Sequence, residues 1–85
     1  MRRRRTTRTS ALVKRRLDNR VRVVMRARGA THTDLVIATG LSYRVLLRAS
    51  QPTADPPLAV GVRIARALGE PLEQLFVLRD ADGGA

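Results

Sequence analysis

Hydrophobic residues between Leu17 and Phe76 recur at helical spacing, in short runs that glycine and proline separate. In the first run, Leu17, Val21, Val24 and Met25 stand at i, i+4, i+7 and i+8, which places them on one stripe of a helix. No stretch alternates apolar and polar residues with the period of two that is typical of a strand. The pattern predicts an all-α fold of five short helices, over about residues 19–28, 32–38, 43–49, 58–68 and from 71 onward.

Three of these helices carry further signals. Ser10 and Asp18 are both candidate N-caps for the first helix, so that it begins either early or at residue 19. Residues 35–38 give the second helix its apolar face. Gly61 lies inside the fourth helix, where it costs about 1 kcal/mol relative to alanine, and it therefore predicts close packing against a neighbour. The positions of the fourth helix that we expect to face the core are Leu58, Val62, Ile64, Ala65 and Leu68.

The segment from Thr31 to Ser50 contains two of the short helices and the turn that joins them. Thr31 is an N-cap, and Asp34 three residues later completes a capping box. Gly40 tolerates the positive φ at which many helices end, and Ser42 is the N-cap of the next helix. This order is typical of the helix-turn-helix unit, whose second helix enters the DNA major groove. The alternative is a pair of packed helices with no role in DNA binding.

Positive charge is concentrated in the first third of the chain. Residues 1–28 contain twelve Lys and Arg and one acid, whereas residues 29–85 contain five Arg and six acids, which together give the net charge of +10. A basic segment suits a polyanion, because each neutralised phosphate releases a counterion; the alternative is a solubilising tail. We expect a flexible basic arm over residues 1–16, a helix-turn-helix domain over 17–78 and a flexible tail over 79–85.

Few residues are suited to catalysis or metal binding. The chain has no cysteine and a single histidine, His32, so we expect no disulfide and no metal site. No nucleophile is paired with a base and no glycine-rich phosphate loop is present, so we expect neither an enzyme nor a cofactor. No apolar run approaches the roughly 20 residues of a membrane span, and no apolar region follows the basic start as in a signal peptide. These features predict a cytoplasmic protein with no membrane association.

Several short sequences follow one another in a specific order from the first helix to the last. They are Asn19-Arg20-Val21, Arg28-Gly29, Thr31 to Leu35, Gly40-Leu41-Ser42, Pro56, Ile64 to Gly69 and Pro71 to Phe76. In this order they resemble the phage-repressor-like, Cro/Xre-type DNA-binding domains. The resemblance implies five helices with the helix-turn-helix at the second and third, and a role as a transcriptional regulator that binds operator DNA.

The chain departs from the pattern of that family at several positions. His32 stands where the family usually has glutamine, and imidazole retains the ability to donate to a phosphate. Val36 replaces a preferred alanine at the helix crossing, where a β-branched side chain should widen the contact slightly. Val45 and Leu47 replace residues that are commonly Thr and Ser, so the third helix is unusually apolar.

The candidate DNA-binding residues are Arg2, Arg3, Arg4 and Arg5 in the arm and His32, Thr33, Ser42, Tyr43, Arg44, Val45 and Arg48 around the turn. Arg44 and Arg48 lie four apart on one helix face. Arginine to guanine O6 and N7 is the commonest specific base contact, and the alternative is that either residue bonds only phosphate. Tyr43 either reaches a phosphate or packs at the helix start. Val45 either touches a thymine methyl group or is partly buried, and Ser42 is a cap first and a phosphate contact second.

Three functions are compatible with these features. The first is a sequence-specific regulator that binds double-stranded DNA, a homodimeric repressor of phage or mobile-element type. The second is an accessory protein that uses the same fold to bind another protein, such as a polymerase subunit or a toxin, and outward-facing Val45 and Leu47 favour it. The third is binding of RNA or a membrane surface by the arm. For the homodimer we expect a surface on the fifth helix and the tail, where Phe76, Val77 and Leu78 exceed what the core needs.

Overall fold

A computed structural model describes residues Arg16–Arg79, which form a predominantly helical unit with one small sheet. The helices are α1 (Val21–Arg28), α2 (His32–Thr39), α3 (Tyr43–Ala49), α4 (Leu58–Leu68) and α5 (Leu72–Leu75). Strand β1 (Arg16–Asn19) precedes α1, and strand β2 (Phe76–Arg79) follows α5 directly. The five predicted helices are confirmed within this range, and the fold is predominantly helical but not purely all-α, because the two ends of the described chain form a sheet.

The sheet pairs β1 and β2 in antiparallel orientation, with Leu17 opposite Leu78 and Asn19 opposite Phe76. Leu17 is therefore a strand residue and does not belong to the hydrophobic stripe of α1. Residues 76–78, which we expected in the last helix and the tail, form most of β2. Neither strand alternates apolar and polar residues, since β1 is Arg-Leu-Asp-Asn and β2 is Phe-Val-Leu-Arg, so the period of two that marks a strand is absent from both. The paired residues are also at opposite ends of the described chain, so no local sequence pattern predicts that they pair.

Asn19 determines where α1 begins. Its side chain is buried, and its Oδ1 accepts a hydrogen bond from the Val21 amide at 3.1 Å. The Nδ2 of the same side chain donates to the carbonyl oxygens of Ala49 at 2.7 Å and Ala54 at 3.1 Å. One amide thus joins the start of α1 to the end of α3 and to the loop that follows it.

The predicted N-cap Asp18 does not cap α1. Arg20 occupies that position and forms no side-chain cap hydrogen bond. Asp18 instead lies in β1 and forms an ion pair with Arg79 of β2 at 3.1 Å. The alternative cap, Ser10, lies outside the described residues.

The caps predicted on either side of the central turn are confirmed. The Asp34 amide donates to Thr31 Oγ1 at 3.1 Å and the Thr31 amide donates to Asp34 Oδ2 at 2.9 Å, which is a complete capping box. Gly40 ends α2 with φ 76°, in the left-handed region where a side chain would be strained. Ser42 Oγ then accepts from the Val45 amide at 3.1 Å and starts α3. The sequence between residues 31 and 45 therefore determines both helix ends locally.

Hydrophobic residues from all five helices form one core. Its buried members are Val21, Met25, Leu35, Leu46, Ala49, Ile64, Ala65, Leu68 and Leu75. Burial of this apolar surface is the main force that holds such short helices together, since helices of this length are marginal in isolation. None of the helices between Arg16 and Arg79 has the length and the apolar character that crossing a membrane would require.

The burial of residues in α2 and α4 confirms one expectation and corrects two others. A Cβ atom on Gly61 would lie 3.2 Å from Cε2 of Phe76, so the missing side chain lets β2 approach the helix, as predicted. Leu58, which we expected in the core, is 70% exposed, and Ile37 of α2 is 79% exposed. Neither residue belongs to the buried core. A short amphipathic helix buries only part of an apolar run.

Candidate nucleic-acid interface

The third helix has one buried face and one exposed face. Leu46 and Ala49, three positions apart, are buried in the core. Arg44 and Arg48, four positions apart, are both exposed. Tyr43 is 52% exposed at the start of the helix. The burial pattern therefore gives α3 one face against the core and one face with two guanidinium groups.

His32 at the start of α2 contacts residues at both ends of α3. Its Nε2 lies 2.9 Å from Oγ of Ser50, the C-cap residue of α3. Its ring also meets the ring of Tyr43 edge to face, with centroids 5.9 Å apart. Ser50 is 1% exposed and its hydroxyl donates to the Leu47 carbonyl at 3.2 Å. The histidine that we predicted as a phosphate contact is therefore also part of the packing between α2 and α3.

Two arginines of α1 join the predicted residues in a cleft that we call the arginine cleft. It has a volume of about 510 Å³ and is lined by Arg22, Met25, Arg26, Ala30, Thr31, His32, Thr33 and Tyr43. Three of the predicted site residues, His32, Thr33 and Tyr43, thus lie together. Sequence reasoning did not include Arg22 and Arg26 in the site. Their spacing of four on α1 was the available signal, since it places both on one helix face.

Val45 and Arg48 line a different concavity, which we call the loop cleft. Its volume is about 470 Å³, and its other lining residues are Ala49, Ala54, Asp55, Pro56, Pro57 and Val60. Val45 is 39% exposed, so it is neither fully buried nor fully projecting. Arg44 and Ser42 are exposed and line neither cleft. The predicted residues of the turn are therefore distributed over both sides of α3 and its exposed face.

Two arginines outside this region form ion pairs with acids. Arg28 forms an ion pair with Glu70, and Arg79 forms one with Asp18. Within Arg16–Arg79, no acidic side chain forms an ion pair with any of the four arginines at the clefts and on α3, which are Arg22, Arg26, Arg44 and Arg48. Guanidinium groups in this state are suited to phosphate oxygens and to the acceptors of guanine.

The remaining predicted site residues, Arg2, Arg3, Arg4 and Arg5, lie outside the described residues. Between Arg16 and Arg79, no three His, Asp or Glu side chains come together in a way that would hold a metal ion. Comparison with known proteins adds no relative, since no model of a protein family and no curated protein matches this chain.

Proposed function

We propose that this chain is a sequence-specific regulator of the Cro/Xre type that binds double-stranded DNA. In this proposal α2, the turn at residues 40–42 and α3 form the helix-turn-helix unit, and α3 enters the major groove. One observation carries the proposal: exposed arginines surround α3 and none of them is neutralised by an acid within the described chain. The order of short sequences that resembles the Cro/Xre-type domains supports it independently.

Each candidate residue has a role that its position allows. Arg44 and Arg48, on the exposed face, donate to guanine O6 and N7, while Val45 contacts a thymine methyl group. The proposed phosphate contacts are Thr33, Ser42, Tyr43 and His32. Arg22 and Arg26 add charge to the same phosphate-binding side through the arginine cleft. Phosphate contacts fix the register of the protein on DNA, and base contacts supply the specificity.

The biological form that we propose is a homodimeric repressor of phage or mobile-element type, in the cytoplasm and without catalytic activity or a cofactor. One recognition helix reads only a few base pairs. Two copies related by a two-fold axis read half-sites about 34–36 Å apart. The dimer therefore distinguishes its operator from other DNA sequences better than one copy does. The basic arm with Arg2, Arg3, Arg4 and Arg5 adds affinity that does not depend on the base sequence.

Selection of bound sequences from random duplexes, followed by substitution of α3, tests the proposal. The measured quantity is the ratio of the affinity for the selected site to the affinity for random DNA, at one fixed salt concentration. We expect Arg44→Ala or Arg48→Ala to lower the affinity for the selected site by about 1–3 kcal/mol and to relax the preference at one base pair. Random DNA should be affected much less, because only one charge is lost there.

Arg66→Ala is the matched control, since it removes the same charge from an exposed arginine of α4. Arg66 lines a concavity with Ala38, Thr39, Arg63 and Ala67, none of which belongs to α3. We expect it to leave the ratio unchanged. If the selection returns no preferred sequence, or if both α3 variants keep the original ratio, helix α3 does not recognise bases and the proposal fails.

A second candidate function has one specific observation in its favour. Val45 is 39% exposed and lines the loop cleft, whose walls are mainly alanine, proline and valine. Such a surface suits an apolar side chain of another protein, such as a polymerase subunit or a toxin. Binding of a protein alone predicts neither a steep dependence of DNA affinity on salt nor a preference for one DNA sequence. The selection experiment therefore separates the two functions.

A further inference from the structure

A third concavity lies at the junction of the sheet, α4 and α5, and we call it the acid-rimmed groove. Its volume is about 390 Å³, and it is lined by Leu17, Asp55, Pro56, Leu58, Gly61, Leu72, Glu73 and Phe76. Leu58 is 70% exposed, although leucine is favoured in the interior. Gly61 has no side chain to fill the groove. The result is an apolar surface that the described residues leave uncovered.

Two acidic residues of this groove, Asp55 and Glu73, differ from the other acids of the described chain in having no ion pair or cap partner there. Asp18 and Glu70 form ion pairs, and Asp34 is used in the capping box of α2. Asp55 and Glu73 form no ion pair with any residue between Arg16 and Arg79, and both line the groove. An apolar surface bordered by two carboxylates is complementary to a segment that places apolar side chains beside basic ones.

The chain contains such a segment in residues 11–15, just before β1. Leu12 and Val13 are followed by Lys14 and Arg15, and these two apolar residues are the only Leu, Ile, Val or Phe before Leu17. The two apolar residues of this segment match the apolar lining of the groove, and its two basic residues match the two carboxylates. This complementarity is the basis of the inference. We propose that residues 11–15 of a second copy of this chain occupy the acid-rimmed groove, so that two copies exchange their arms.

The homodimer of the proposed function is the reason to assign the groove to the segment of a second copy. Each copy has one groove and one such segment, so a two-fold axis makes the exchange reciprocal. Docking of the segment in the groove of its own chain is the alternative that the test below separates.

The proposal is tested by two charge-reversed variants of the full chain and by their mixture, in the absence of DNA. The arm variant is Lys14→Glu with Arg15→Glu, and the groove variant is Asp55→Arg with Glu73→Arg. We expect the original chain to sediment as a dimer at micromolar concentration and each variant alone to dissociate about tenfold more readily or worse, because like charges then face each other. An equimolar mixture should regain the dimer, because each arm then meets a groove of opposite charge.

The mixture is the decisive measurement. Docking of an arm in its own groove, or loss of folding in either variant, predicts that the mixture stays monomeric, and that result overturns the proposal. A monomeric original chain, or either variant dimerising as well as the original, overturns it equally. Arg2→Glu with Arg3→Glu is the matched control for net charge, and we expect it to dimerise as the original does. Dissociation of this control would show that total charge controls assembly, against the proposal.

This inference rests on the homodimer of the proposed function but not on DNA binding. The sedimentation measurements contain no DNA, whereas the ratio of affinities tests α3 directly. A chain that selects a DNA sequence but shows no arm exchange would leave the proposed function standing and refute only this inference.

Discussion

Ser50 lies at the end of α3 with 1% of its surface exposed, and its hydroxyl has two partners. It donates to Leu47 in its own helix and forms a hydrogen bond with His32 at the start of α2. A buried polar group is costly when it loses a partner, because it has already given up its contact with water. The pair of His32 and Ser50 therefore fixes how α2 and α3 pack together, in addition to any contact that His32 makes with DNA.

Substitution of His32 separates these two roles. We expect His32→Ala to lower the free energy of unfolding by about 1–3 kcal/mol, because it removes one of the two hydrogen-bond partners of the buried Ser50 hydroxyl. His32→Gln retains an N–H donor near the same place and should keep most of the stability. Urea denaturation of both variants measures this difference. Equal stability of the alanine variant and the original chain would show that the contact with Ser50 contributes nothing.

Helix α3 and the turn before it could be predicted from sequence because their signals are local. Thr31, Asp34, Gly40 and Ser42 each act within a few residues, and each has the predicted role in the structure. The strands could not be predicted, since β1 finds its partner only when the far end of the chain returns to it. Local patterns determine helix ends, but only tertiary packing determines which strands pair.

The same distinction applies to the candidate site. Arg44 and Arg48 were identified because helical spacing alone places them on one face. Arg22 and Arg26 belong to α1, and they reach the site only because α1 packs beside the start of α2. The exposure of Leu58 was missed for a related reason, since an apolar residue at helical spacing gives no information about whether a neighbour covers it.

At the scale of the element, the capping box should be important to the short helix α2. Thr31→Ala removes the oxygen that accepts from the Asp34 amide, and we expect a loss of about 1 kcal/mol in stability. Thr33→Ala is the matched control, since Thr33 is exposed in the first turn of the same helix. In thermal and urea denaturation, the original chain and the Thr33 variant should have similar stability, and the Thr31 variant should be less stable than both. A Thr33 variant as unstable as the Thr31 variant would contradict this explanation.

At the scale of the whole molecule, charge is distributed unevenly between surfaces. Arginines surround α3 and the arginine cleft, whereas Asp55 and Glu73, which form no ion pair within the described chain, border the acid-rimmed groove. A polyanion is attracted to the first surface and repelled from the second. The two proposals therefore use surfaces of different charge, which meet at Asp55 and Pro56 because these residues also line the loop cleft.

The basic arm should contribute to affinity without contributing to specificity. Deletion of residues 2–8 removes Arg2, Arg3, Arg4, Arg5 and Arg8. We expect weaker binding to the selected site and to random DNA in similar proportion. The slope of log affinity against log salt should fall in magnitude by about 0.9 for each phosphate contact that is lost, because fewer counterions are released. Titrations at several salt concentrations measure affinity and slope together.

Replacing the same five arginines with lysine is the control that identifies charge as the cause. Counterion release depends on the number of positive charges near phosphate, so the lysine variant should keep the slope of the original chain. Arg44→Lys and Arg48→Lys should behave differently, because lysine does not reproduce the two parallel hydrogen bonds of arginine to guanine, and the ratio of affinities should fall. Charge alone should therefore be enough in the arm, whereas α3 should need the geometry of the guanidinium group. If arm deletion leaves the salt slope unchanged at low salt, the arm does not contact DNA, and the affinity of this chain for DNA must come from the arginines around α3.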